Sequence, residues 1–156
     1  MSRERFFELL EKPYTPYVVV ELVYVIATIV FYIKLANINR LLNQNFDVDR
    51  MVTQKDVAIA TDVMAFRNNS PWDYLLWGMT LILISIAIPI VFFLINKSSY
   101  RKEEDKATIW MVIMVIFVIN LIIAISLAKA LFSPIIIAVF LIYAIGGLAI
   151  IGSSQS

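Results

Sequence analysis

The chain has 156 residues, 61% of them hydrophobic and 16% charged, with a net charge of +1 and a mean hydropathy of +0.84. Soluble domains run at about 45–50% apolar and about 25% charged, so the composition argues against a water-soluble fold, and the near-neutral charge offers no footing for nucleic acid. Histidine and cysteine are both absent, which excludes Ser/His/Asp and Cys/His nucleophilic sets, disulfides, and most side chains that hold haem, copper or zinc.

The apolar residues gather in four stretches, roughly Tyr17–Ala36, Trp72–Ile95, Ile109–Leu127 and Ile135–Ile151. A hydrocarbon core about 30 Å thick needs about 20 apolar helical residues, and each stretch is near that length. The sequence therefore predicts an all-α integral membrane protein with four transmembrane helices and an amphipathic helix in the 37–70 connection. The chain reads as a single membrane domain over 1–156.

Residues 1–14 form the first predicted element, an interfacial helix whose amphipathic part is Phe6–Lys12. A cleaved signal peptide is a poor fit. Glu4, Glu8 and Glu11 sit among the basic residues, the following apolar run is too long, and no small-x-small cleavage site follows it.

The first span is predicted over 16–36, opened by Thr15-Pro16: a hydroxyl suits the N-cap, and proline suits the first helical turn. Tyr17, Glu21, Tyr24 and Thr28 recur at helical spacing and share one face, while Val19, Ile26 and Val30 suit lipid. Glu21 lies about 7 Å along this helix. A buried carboxylate among tyrosines suits a cation or a proton relay. The simpler expectation is that Glu21 reaches the headgroups and meets Lys12 or a basic residue of the 96–106 loop.

In the connection over 37–70, Asn37–Gln44 extends the first helix, and Asn45 and Asp47 suit a turn. Val48, Val52, Ile59, Val63 and Phe66 fall on one helical face, with Arg50, Gln54 and Thr61 opposite. That pattern predicts one amphipathic helix lying on the membrane or against a partner. The nearby acids Asp47, Asp49, Asp56 and Asp62 lack the spacing of a calcium loop and read as solvated.

The second span, 71–95, opens with Ser70-Pro71 and carries Pro89. That proline is expected to kink the helix and free the Ser85 carbonyl, with the Ser85 hydroxyl nearby to help. A polar loop over 96–106 follows. The third span, 107–130, comes after Glu103, Glu104 and Asp105, acids that favour the positive end of a helix. Asn120 stands near its middle, and an amide in hydrocarbon requires a partner. Thr28, Ser85 and Tyr143 lie at similar expected depth, so a polar layer of these residues with Asn120 is predicted, and Ala124 and Ala128 continue a small-residue face. The fourth span, 133–152, opens with Ser133-Pro134 and contains Gly146-Gly147.

Four crossings place both termini and the 96–106 loop on one side. That side carries seven basic residues against six opposite, and the bias near the helix ends predicts cytoplasmic termini. Small size, missing cofactor ligands and the absence of a sizeable soluble part point to a non-catalytic accessory or structural subunit of a larger membrane complex. It is expected to contact membrane lipids and other integral membrane subunits, with no cofactor, no metal, no nucleic acid and no catalysis of its own. The alternative is a small homo-oligomeric ion channel or transporter using Glu21, Asn120 and the Pro89 kink, with Tyr17, Tyr24, Thr28, Ser85 and Tyr143 as further polar lining.

Overall fold

The computed structural model describes residues 12–100 and 102–146, and these are helical, with no strand among them. The expected interfacial helix over residues 1–11, and the part of the fourth segment from Gly147 onward, lie outside the described residues. The elements are α1 (Thr15–Asn45), α2 (Val48–Thr53), α3 (Val57–Ser98), α4 (Glu103–Leu131) and α5 (Pro134–Leu141), with a π-helical turn at Ile142–Gly146.

Three of these, α1, α3 and α4, are long and apolar enough to cross a bilayer. The fourth apolar segment is helical over Pro134–Ile145, which spans about 18 Å against the roughly 30 Å of a hydrocarbon core. The described residues thus supply three spans of sufficient length rather than four.

The helix ends follow from local chemistry. At the end of α1 the Asn45 amide donates to the Leu41 carbonyl at 2.7 Å. Asp47 then caps α2 by accepting from the Arg50 N–H at 2.9 Å. The single amphipathic helix expected over Val48–Phe66 is two helices instead. Lys55 adopts a left-handed φ of 53°, and Asp56 Oδ1 accepts from the N–H groups of Ala58 and Ile59, at 3.1 and 3.2 Å, to start α3. An aspartate two residues before a free amide competes well with a continuing helix. The break resets the helical phase, so Val52 is exposed while Met51, Ala60, Val63 and Met64 are buried.

Within α3 the backbone leaves the helical region at Phe66–Asn69, where Arg67, Asn68 and Asn69 take φ of 47°, 59° and 65°. Two limbs result, one ending before Phe66 and one beginning at Ser70-Pro71, where the second span was expected to start. The second limb continues as helix on both sides of Pro89. The dihedrals stay helical through it, and the Ser85 hydroxyl donates to the Ile82 carbonyl at 2.6 Å. A proline removes one amide donor and crowds one carbonyl, which a long helix absorbs without unwinding when its neighbouring turns remain bonded. Ser133 caps α5 from an extended conformation with Pro134 in the first turn, as the sequence indicates.

The chain divides into two compact units. The first comprises residues up to Ile29 together with Leu81–Ile125. Its buried positions are spaced three and four apart on every helix: Tyr17, Glu21, Tyr24 and Thr28 on α1, Leu81, Ser85, Pro89, Phe92 and Asn96 on α3, and Ile109, Ile113, Ile116 and Asn120 on α4. This is the period of a coiled-coil-like seam. Tyr17 packs edge-on against Phe92 with ring centroids 4.8 Å apart, and both join Ile109, Ile113 and Ile116 in one apolar cluster. The outward faces are aliphatic, with Val19, Leu22, Val23 and Ile26 exposed on α1 and Met111, Met114 and Val115 exposed on α4.

The second unit comprises Val30–Thr80 and the residues from Ser126 onward. The α1 stripe continues here as Phe31, Leu35, Ile38 and Leu42. Gly78 permits a close approach: a Cβ there would fall 2.6 Å from Leu131 Cδ2 and 3.0 Å from Phe31 Cζ. Phe46 and Phe66 meet edge-on at 5.5 Å.

Candidate functional site

Tyr17, Glu21, Tyr24, Thr28, Ser85 and Asn120 all lie in the seam of the first unit. Glu21 is 6% exposed and Asn120 is 1% exposed. Asn120 Nδ2 donates to Glu21 Oε2 at 2.9 Å and to the Ile116 carbonyl at 3.0 Å. The bond links α1 to α4. Glu21 therefore meets an amide inside the seam, and among the described residues no ion pair joins it to Lys12, Lys97, Lys102 or Lys106. Lys12 instead lies over the Tyr14 ring, 5.9 Å from its centroid, and Lys106 pairs with Glu103 at 3.3 Å.

The hydroxyls of Tyr24, Thr28 and Ser85 are committed to backbone. Tyr24 donates to the Leu81 carbonyl at 3.1 Å, joining α1 to α3, and Thr28 donates to the Tyr24 carbonyl at 3.0 Å. Ser85 donates to Ile82, as above. Of the residues of the expected layer, Asn120 bonds Glu21, while Thr28 and Ser85 donate within their own helices. Tyr143 belongs to the second unit and is 68% exposed. Of the small-residue face, Ala124 is half-buried and Ala128 is exposed.

Two acceptors in the pair have no hydrogen-bond partner: Glu21 Oε1 and Asn120 Oδ1. Grooves flank the pair. One, of about 410 Å³, is lined by Glu21 with Val18, Leu22, Val25, Val112 and Ile116 among others, and its walls are apolar. The other, of about 100 Å³, is lined by Ser85, Pro89, Asn120 and Ala124 with aliphatic neighbours and Phe117. Among the described residues no group of three or more Asp or Glu side chains converges to hold a metal ion.

One seam residue escapes the sequence reading. Asn96 is fully buried, and its Nδ2 reaches the Lys106 carbonyl at 3.5 Å, tying the end of α3 to the start of α4. Its signal is periodicity: Asn96 continues the Leu81, Ser85, Pro89, Phe92 stripe by one further turn. Read as part of a polar loop, it loses that context.

No protein-family model, no curated protein and no solved structure matches this chain.

Proposed function

We propose that this chain is a non-catalytic structural subunit of a larger membrane complex, with four spans and cytoplasmic termini, in contact with lipid and with other integral membrane subunits. The observation that carries the reading is the closure of the Glu21–Asn120 pair. The carboxylate and the amide are bonded to each other within the seam, and the faces turned outward are aliphatic. Polar groups used this way fix which helices pack and in what register, and contribute modestly to stability, about 0.6 kcal/mol per bond on average in one measured membrane protein. Aliphatic outer faces suit lipid and the helices of partners alike.

The test is purification from native membranes in mild detergent followed by native mass spectrometry. The subunit reading expects stoichiometric co-purifying chains of other sequence, and recovery as a pure homo-oligomer contradicts it. The second reading, a small channel or transporter, draws on the groove that brings Ser85, Pro89 and Asn120 together. It expects solute or ion flux in liposomes that falls in Glu21→Gln and Asn120→Leu, and unchanged flux in both removes those residues from any pathway.

A further inference from the structure

We propose that Glu21 and Asn120 form a proton-binding site, with one exchangeable proton held on the Glu21 carboxyl at neutral pH. The proposal concerns this pair alone and does not rest on the subunit reading.

The Asn120 amide has its nitrogen between two oxygens, Glu21 Oε2 and the Ile116 carbonyl. Turning the amide over would set its oxygen against both, so the chemistry fixes the orientation, and Oδ1 is the atom left over. Both N–H groups of Asn120 are then used. The hydroxyls of Tyr24, Thr28 and Ser85 are each given to a backbone carbonyl. At the pair itself Glu21 Oε1 and Asn120 Oδ1 are left over, both buried and both acceptors. The pair lacks a donor and has two acceptors to spare. A proton on the carboxyl corrects the imbalance, because it converts one oxygen of Glu21 from acceptor to O–H donor.

Charge leads to the same conclusion. An ionised carboxylate away from water is tolerated when a cation or several donors surround it. Among the described residues no basic side chain pairs with Glu21; the ion pairs there are Arg50–Asp56 and Lys106–Glu103. Asn120 on α4 bonds Glu21, and Val112 and Ile116 line the same groove; the other buried side chains of the seam on α3 and α4 are Leu81, Ser85, Pro89, Phe92, Asn96, Ile109 and Ile113. None of these titrates. On α1 itself the neighbours on the same face are Tyr17 and Tyr24, which bring hydroxyls and no basic group. A metal ion is a poorer occupant, since divalent cations take six or more oxygens and the pair offers two without partners. A proton needs only one oxygen to bind and one to accept its hydrogen bond.

The test is infrared spectroscopy of the protein in dodecyl maltoside, a detergent without carbonyl groups, at about pH 8, where ordinary aspartates and glutamates are ionised. The wild type is expected to show a protonated-carboxyl C=O band that shifts down in D2O. The band is expected to vanish in Glu21→Gln and to move to higher wavenumber in Asn120→Leu, where a hydrogen bond to the carboxyl is lost. A wild-type spectrum with carboxylate bands alone overturns the proposal. So does a band that persists in Glu21→Gln, because the proton then belongs to another acid. The wild-type measurement decides the first point even if a variant fails to fold.

Discussion

Asn120 Nδ2 and Glu21 Oε2 stand 2.9 Å apart although the two residues are 99 positions apart in the chain. Glu21 is about 9 Å along α1 from Thr15, while Asn120 is about 25 Å along α4 from Glu103. Tyr17 packs with Ile109, Ile113 and Ile116, and Glu21 bonds to Asn120. Later residues on α1 therefore meet later residues on α4, and the two helices run parallel within the first unit. Tyr17 meets Phe92 while Tyr24 meets Leu81, so α3 runs antiparallel to α1. The difference in depth is absorbed by the early start of α4, whose acidic first turn lies well before the level at which α1 begins.

The limb of α3 from Ser70 to Ser98 is about 42 Å long, enough to bring its two ends out on opposite sides of a bilayer. The chain has no cysteine of its own, so single-cysteine variants report cleanly. Asn69→Cys and Tyr100→Cys in sealed vesicles are expected to react with a membrane-impermeant maleimide from opposite sides. Labelling of both from the same side contradicts a crossing by this limb.

The left-handed run at Arg67, Asn68 and Asn69 carries backbone strain that asparagine tolerates better than arginine does. Arg67→Gly is expected to raise stability by about 0.5–1 kcal/mol, since glycine adopts this φ freely. Asn68→Val, which adds a β-branch at φ of 59°, is expected to lower it by a comparable or larger amount. Denaturant titration in detergent reads both, and equal midpoints for the two variants contradict the strain.

At Gly78 the neighbouring Leu131 and Phe31 leave no room for a side chain. Gly78→Leu is expected to destabilise by about 3 kcal/mol or more, beyond the usual 1–3 kcal/mol of overpacking, because several carbons must be placed. Gly78→Ala is expected to cost much less, as its clash falls on the flexible ends of those side chains and better helix propensity offsets part of it. Unfolding midpoints ordered wild type, Ala, Leu check this, and a fully stable Leu variant contradicts it.

The legible part of the fold is the part set by local periodicity. The shared face of Tyr17, Glu21, Tyr24 and Thr28 is a matter of spacing along one helix, and all four are buried together. The start of the second limb at Ser70-Pro71 and the Ser133 cap are likewise local. The partner of Glu21 is not, because depth counted from each helix's own beginning assumes that the beginnings are level, and α4 starts about 16 Å early relative to α1. The single amphipathic helix over 48–66 fails for a different reason. Hydrophobic spacing persists across Lys55 by coincidence, while the cap supplied by Asp56 is a two-residue signal that a long window averages away.

The most direct test of the seam is a double-mutant cycle between Glu21→Leu and Asn120→Leu, read as unfolding free energy in detergent. Each single change leaves a buried polar partner without its mate and is expected to cost about 1–3 kcal/mol. Removing both partners leaves two leucines in an apolar seam, so the double variant is expected to lose less than the two singles together. The coupling should exceed the roughly 0.6 kcal/mol typical of interhelical bonds in a membrane. Costs that simply add would contradict a bonded pair at the centre of this protein.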